Sequence, residues 1–290
     1  MTELLFGINV SPAVGAGSDA VAEAQRAEQL GFDFVSANDH MHGPAPRYEA
    51  WTMLSWLAAS TTRIRVATRV LGVPYRHPSV LAKMAETFHR LSGGRLILGL
   101  GAGASDEEFR ALGLPVLTPR DKVDGLAEAI RIIRGLWSEP RFTFDGSHYR
   151  AEDAVAEPKP ASRIPIWLGT YGPRALGVTG RLADGWIPSL ELAPPERVPA
   201  MRERIAAAAR EAGRDPADIT GVYNLEIRVD DRPVDEPFVL SGPPDPVAER
   251  LRGFVDLGFT AFNFIPAGPD EADQAERLAH EVVPAVRSAR

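Results

Sequence analysis

The sequence predicts a parallel α/β fold of the (β/α)8 barrel type. Eight β-type runs alternate with helical segments along 290 residues. Most of the intervening segments are long enough for the right-handed crossovers that parallel strands need. Eight such units is also the number that closes a sheet on itself. An open doubly wound sheet is the structural alternative. Against it, no G-x-G-x-x-G follows the first strand, and no acid sits about 20 residues beyond such a motif.

The elements follow in order. "LLFGINV" is the first strand, and residues 18–30 form a helix with Ser18 or Asp19 as N-cap and Gly31 just past its end. "FDFVSA" is the second strand, followed by the helix "EAWTMLSWLAAST". "RIRVATRVL" is the third strand, and the helix "HPSVLAKMAETFHRLS" after it opens at Pro78 and closes at Gly93–Gly94. "RLILGLG" is the fourth strand, and "PRDKVDGLAEAIRIIRGLW" is a long amphipathic helix. Residues 139–163 then read as a hairpin-like insertion, with an Asp-Gly turn signal between alternating residues. "IPIWLGT", "DGWIP", "ITGVYNLEIRV" and "TAFNFI" are strands five to eight. Helices start at Pro173 and near Pro195, one ends at Leu257, and a terminal helix closes the chain. The Pro- and Asp-rich residues 230–246 read as loop. The expectation is one barrel domain over 1–290, with 139–163 inserted after the helix of the fourth unit.

Composition narrows the class. With 44% hydrophobic and 24% charged residues the chain can bury a large core. A net charge of -7 argues against a nucleic-acid surface, which needs clustered positive charge. There are no cysteines, so disulfides, thiolate catalysis and iron–sulfur ligation are excluded. The N-terminus lacks a charged region followed by a long apolar core, and no apolar run approaches the roughly 20 residues of a spanning helix. A cytoplasmic protein without membrane contact is expected.

In a barrel the chemistry sits where the strands end. That rule selects Asn9 and Ser11, Asn38 to His42, Thr68 to Val73, Gly99 to Ser105, Gly169 to Arg174, Trp186 and Ser189, then Glu226 or Arg228 and Asn263. The second strand runs into "NDHMH", which has three readings. His40 and His42 are spaced like metal ligands, but no partner ligands recur after strands four to six. Asp39 can instead bond backbone amides of its own loop. The third reading is a polar floor beneath a bound ligand, and two glycine turns favour it. Gly99, Gly101 and Gly103 lie where strand four ends, and glycine lets backbone amides approach a flat or anionic ligand. After strand five, Gly169, Tyr171 and Gly172 precede Pro173 and Arg174 at a helix start, a combination suited to phosphate. Together they suggest a long cofactor with a planar head and an anionic tail.

The segments "AEQLGFDFVSANDH", "TTRIRVATRVL", "RHPSVLAKMAETFHRLSGGRLILGLGAG", "LAEAIRIIRGLW", "IPIWLGTYGPRAL" and "LADGWIP" resemble, in order and separation, the bacterial-luciferase-like superfamily of flavin and deazaflavin enzymes. The resemblance covers nearly the whole chain and implies an α/β barrel that uses coenzyme F420 or FMN. "NDH" is more similar to the F420-dependent branch. There the acid–histidine pair lies beside the reactive ring, which assigns Asp39 and His40. That branch also carries a non-proline cis peptide after strand three, matching Arg69–Val70 beside Thr68. Gly101, Ala102 and Gly103 match the cofactor-contacting turn, and Gly172 to Arg174 the phosphate seat. Some sugar-phosphate dehydrogenases of the branch place a glutamate directly after the strand-four glycines. Here Ala104 stands in that position, with Asp106, Glu107 and Glu108 slightly later, and no lysine cluster accompanies the late strands. Both departures argue against a sugar phosphate.

The expected activity is F420-dependent oxidoreduction of a small organic molecule. His40 manages the proton, since imidazole titrates near neutral pH. Asp39 orients His40 or bonds the ring, and Asn9, Trp51 and Trp186 wall the substrate pocket. An FMN-dependent monooxygenase is the first alternative, a non-enzymatic flavin-binding paralogue the second, and a metal-dependent barrel hydrolase the third. No metal is expected on the leading reading, and the resemblance implies a homodimer.

Overall fold

Eight parallel strands close into a barrel in the computed structural model, which describes residues 3–15, 17–268 and 270–288. Met1 and Thr2 of the N-terminal stretch read above, and Ala289 and Arg290 beyond the terminal helix, lie outside them. The strands are β1 (Leu5–Asn9), β2 (Phe34–Ala37), β3 (Arg65–Thr68), a two-residue β4 (Leu71–Gly72), β5 (Leu96–Gly101), the hairpin β6 (Phe142–Asp145) and β7 (Arg150–Ala154), β8 (Ile166–Leu168), β9 (Gly185–Trp186), β10 (Thr220–Val229), β11 (Val239–Gly242) and β12 (Ala261–Pro266). The barrel order is β12-β1-β2-β3-β5-β8-β9-β10, closed by pairing of β10 with β12.

The helices are α1 (Ala20–Gln29), α2 (Ala50–Ser60), α3 (Pro78–Leu91), α4 (Asp106–Ala111), α5 (Pro119–Ser138), α6 (Pro173–Leu182), α7 (Val198–Glu211), α8 (Pro244–Asp256), α9 (Glu271–Arg277) and α10 (Val283–Arg287). Local chemistry sets their starts. Asp19 accepts from the N–H groups of Val21 and Ala22, Thr118 from Asp121, and His77 from Ser79 ahead of Pro78. Gly31 sits at φ +81° just past α1, the left-handed geometry that ends helices.

Every residue of β2, β5 and β8 is buried, as strands covered on both faces must be. Phe34, Ala67, Ile97, Trp167, Val222 and Ala261, one from each of six strands, form a tight cluster with Ile187. Trp167 meets Phe34 edge-on at 5.5 Å. Large rings opposite alanines fill the barrel interior without voids. A buried polar layer also crosses the barrel. Ser36 Oγ donates to Asn263 Oδ1 (2.8 Å), Asn263 Nδ2 to Asn224 Oδ1 (2.7 Å) and Asn224 Nδ2 to Ser189 Oγ (2.9 Å). Four polar side chains satisfy one another, which makes their burial affordable.

Three elements differ from the sequence reading. Residues 230–246 are not all loop, because Val239–Gly242 adds a parallel strand beside β10 and α8 starts at Pro244. The polar flanks mask this short run, which only its pairing with β10 reveals. α4 follows the strand-four glycines, where no helix was expected, and at six residues it is too short for periodicity to show. The terminal helix is interrupted by a π-type turn at Leu278–Val282. The insertion does form an antiparallel hairpin, and Glu128 of α5 accepts the N–H groups of Ser147, His148 and Tyr149 at its tip.

Candidate functional site

A cleft of about 450 Å³ opens at the C-terminal ends of the strands. Its wall includes Asn38, Asp39 and His40 after β2, Arg69, Val70 and Gly72 after β3, and Gly101 to Ser105 after β5. Gly169 to Gly172 after β8, Ser189 and Asn224 complete it. The ends of β2, β3, β5, β8 and β9 thus converge on one cavity, whereas Asn9 and Ser11 after β1 line another cleft and Glu226, Arg228 and Asn263 line neither. Among the described residues no group of three or more His, Asp or Glu is arranged to hold a metal ion. No helix there is long and apolar enough to cross a membrane.

His40 is half-exposed on this wall, with 51% of its side chain accessible. Its Nδ1 lies 3.2 Å from Glu108 Oε2. Glu108 is buried and came from α4, the unexpected helix. Its other oxygen accepts from the Met41 N–H and, at 2.8 Å, from the His42 N–H. The Tyr75 hydroxyl also bonds it. Burial disfavours the Glu108 carboxylate, but the hydrogen bonds from His42, Tyr75, His40 and Met41 outweigh that and hold its pKa below the ordinary value. An acceptor surrounded by donors is an ionised carboxylate. The Nδ1 of His40 therefore carries the proton toward Glu108, leaving the Nε2 lone pair free.

Asp39 does not serve His40. Its carboxylate is buried and takes two hydrogen bonds from Arg76, at 2.8 and 3.0 Å, and one from the Gly72 N–H at 3.1 Å. Burial raises the Asp39 pKa, and Arg76 and Gly72 oppose that rise. Arg76 also pairs with Glu49, whose carboxylate caps α2 through the N–H groups of Trp51 and Thr52. The acid–histidine pair expected at Asp39–His40 is thus two separate arrangements. Asp39 ties the β2 loop to the start of α3, and Glu108 orients the imidazole. Ser105-x-x-Glu108 has the capping-box spacing that could have flagged this glutamate; Ser105 does accept from the Glu108 N–H at 3.2 Å. Nothing in the sequence flags Arg76.

The Arg69–Val70 peptide is cis. A Cβ on Gly99 would stand 1.9 Å from the Thr68 carbonyl oxygen, and one on Gly101 would stand 2.7 Å from Val70 Cγ2. These glycines therefore admit the chain after β3, a role their sequence reading did not include, and of the two Gly101 also borders the cleft. Thr68 is not a wall residue. It is fully buried, donating to the Gly99 carbonyl (2.8 Å) and accepting the Gly99 N–H (2.7 Å), which ties β3 to β5. Arg69 sends Nη2 to Asn9 Oδ1 at 3.1 Å, so Asn9 meets the cleft through Arg69. Arg69 Nε and Asn38 Oδ1 are buried without a partner among the described residues.

Ala102 and Gly103 after β5, and Gly169, Tyr171 and Gly172 after β8, line the cleft as expected. The Tyr171 hydroxyl accepts from the Ser189 N–H at 3.1 Å. Gly172 precedes α6 with no side-chain cap, and a Cβ there would meet nothing within 4 Å. Room and uncapped N–H groups therefore coincide. Pro173 and Arg174 lie elsewhere. Both line a neighbouring cleft between α5, α6 and α7, and Arg174 Nε donates to Asp124 at 2.9 Å. Arg174 is thus paired with Asp124 and stands outside the cleft that Gly172 lines.

Neither tryptophan placed in the pocket is there. Trp51 packs edge-on against Phe88, at 5.4 Å, in the groove between α2 and α3. Trp186 is buried, stacks on Phe259 and donates its indole N–H to the Thr170 carbonyl at 2.9 Å. An aromatic residue at a strand end can point outward under the helices as readily as inward, and sequence does not fix which.

Residues 4–235 match a family described as luciferase-like monooxygenase. A F420-dependent glucose-6-phosphate dehydrogenase of Beutenbergia cavernae is 31% identical, over 98% of each chain. One of Kineococcus radiotolerans is 30% identical, over 91% of each. Among solved structures, a F420-dependent secondary alcohol dehydrogenase holding an F420–acetone adduct superposes with a TM-score of 0.88, covering 98% of this chain and 99% of the other at 22% identity.

Proposed function

This chain belongs to the luciferase-like monooxygenase family, and on that premise we propose that it is a coenzyme F420-dependent oxidoreductase acting on a small organic alcohol or carbonyl compound. Its full-length relatives are named for F420, which supports the cofactor. The observation that carries the reading is the His40–Glu108 pair: a half-exposed imidazole, oriented from behind by a buried carboxylate, opens on the cleft where the ends of β2, β3, β5, β8 and β9 meet.

The cleft suits the cofactor. Its long lining from Asn38 to Gly172 holds the orphaned Asn38 Oδ1, and the uncapped start of α6 offers amides beside open space. Gly101 to Gly103 and Val70 would border the ring, and Gly169 to Gly172 would hold the anionic tail. When bound, F420 supplies a two-electron hydride carrier. The chain supplies the rest. The Nε2 of His40 accepts the proton of a substrate hydroxyl, or returns one to a carbonyl oxygen, while Glu108 stabilises the imidazolium from the other side. The main chain from Gly101 to Ser105 and the Tyr171–Ser189 contact keep the wall rigid, holding reacting atoms at attack distance.

A sugar phosphate, on which the named relatives act, fits less well. Ala104 stands at the position read as the relatives' glutamate, and no lysine lines the cleft. We place the active form as a cytoplasmic homodimer built from the whole chain as one domain. Trp56 (69% exposed) on α2, with Val80 (56%) and Leu91 (83%) on α3, supports the pairing, because large apolar side chains on adjoining helices mark association surfaces.

His40→Asn tests the function. F420 should bind within a few-fold of wild type while turnover of secondary alcohols falls by about 10² to 10⁴-fold. Unchanged turnover would remove His40 from the chemistry, and tighter binding of FMN than of F420 would favour the oxygen-using branch.

A further inference from the structure

We infer that Arg69 is a specificity residue that selects substrates bearing a carboxylate. The inference rests on the F420-dependent reading above and names the substrate class of that same site. Arg69 is the one lysine or arginine lining the cleft. The sequence reading valued it only for its backbone, yet its side chain holds a charge that the protein leaves largely unanswered. Its one side-chain hydrogen bond runs from Nη2 to the neutral amide of Asn9. Nε is buried and has no acceptor, and no carboxylate pairs with the guanidinium among the described residues.

The contrast with Arg76 a turn away is direct. Arg76 is partly buried as well, but it pairs with both Asp39 and Glu49. Glu226 and the Tyr171 hydroxyl are near enough to favour the Arg69 charge without bonding it. Burial lowers its pKa to about 10, so the guanidinium stays charged at neutral pH. A partly buried cation without a charged partner is costly unless a ligand supplies the anion.

The geometry points to a carboxylate rather than a phosphate. A guanidinium with Nε buried and one bond already made to Asn9 matches a planar monoanion through the N–H groups its terminal nitrogens leave uncommitted. A phosphate dianion would call for further donors, and no lysine reaches the cleft. Arg69 and His40 both line this cavity, so one substrate can present its acid to the first and its hydroxyl to the second.

The test compares lactate, 2-hydroxybutanoate and mandelate with their primary amides, which keep shape and lose charge. Binding to F420-loaded protein is read by calorimetry and ligand NMR, with F420 affinity measured separately by fluorescence. Wild type should bind at least one acid about tenfold or more above its amide. Arg69→Met should abolish that preference, Arg69→Lys should keep part of it, and F420 affinity should stay within about twofold. Equal binding of acids and amides by wild type overturns the inference without any variant. So does a preference that survives in Arg69→Met, or a Met variant that loses F420 instead, which would assign Arg69 to the ring. Glucose 6-phosphate binding above every acid overturns the substrate class. Failure of wild type to bind F420 at all would instead strike the functional reading on which this one stands.

Discussion

Glu108 and His40 are joined across the barrel mouth at 3.2 Å, from a short helix after β5 to the loop after β2. The same carboxylate takes the N–H groups of Met41 and His42, so one buried group sets both the imidazole and the backbone that carries it. This places the orienting acid 68 residues along the chain from its histidine, rather than beside it.

Glu108→Gln keeps the volume and removes the ionised acceptor. Turnover should fall by about 10²-fold with F420 affinity little changed. Stability gives an independent reading. The native pKa of Glu108 lies below its ordinary 4.5, so its contribution is complete above that value and is lost as pH falls through the lower native one. Wild type should therefore exceed the variant in thermal stability at pH 7, and the gap should close on acidification below about 4.5. A gap independent of pH would mean that the charge does not matter.

Arg76→Met strips the partner from Asp39, whose side chain is only 1% exposed. Urea unfolding should show a loss of about 3 to 5 kcal/mol. Adding Asp39→Asn should recover much of it, because the penalty lies in the unpaired charge. If the single variant is as stable as wild type, Asp39 is already neutral in the fold.

Two glycines separate packing from ligand space. Gly101→Ala puts a Cβ 2.7 Å from Val70 Cγ2 and should cost about 1 to 3 kcal/mol of stability along with cofactor affinity. Gly172→Ala meets nothing within 4 Å at an ordinary φ of −74°, so stability should hold. Its F420 affinity should nevertheless fall about tenfold, because the proposed function gives that space to the cofactor tail. Undiminished affinity in Gly172→Ala would move the tail elsewhere.

Much of this was legible in the residues. The alternation of strands and helices announced the barrel, and the rule that strand ends carry the site selected Asn38, His40, Arg69, Gly101, Tyr171 and Gly172, all on one cleft. What sequence could not give was direction. Trp186 and Thr68 sit at strand ends but are buried away from the cleft, because a residue there can face either way, and Trp51, in the first turn of α2, packs against Phe88 of α3. Arg174 begins the expected helix yet turns to Asp124, a partner supplied by another helix. Glu108 was read as one acid among three, since choosing it needs the packing of α4 against the β2 loop.

The most direct measurement is a titration of the purified protein with F420 and, separately, with FMN, followed by fluorescence. The account predicts saturable binding of F420 at least about tenfold tighter than FMN, retained in His40→Asn and weakened in Gly172→Ala. Tighter binding of FMN, or saturable F420 binding indifferent to Gly172→Ala and Gly101→Ala alike, would contradict it.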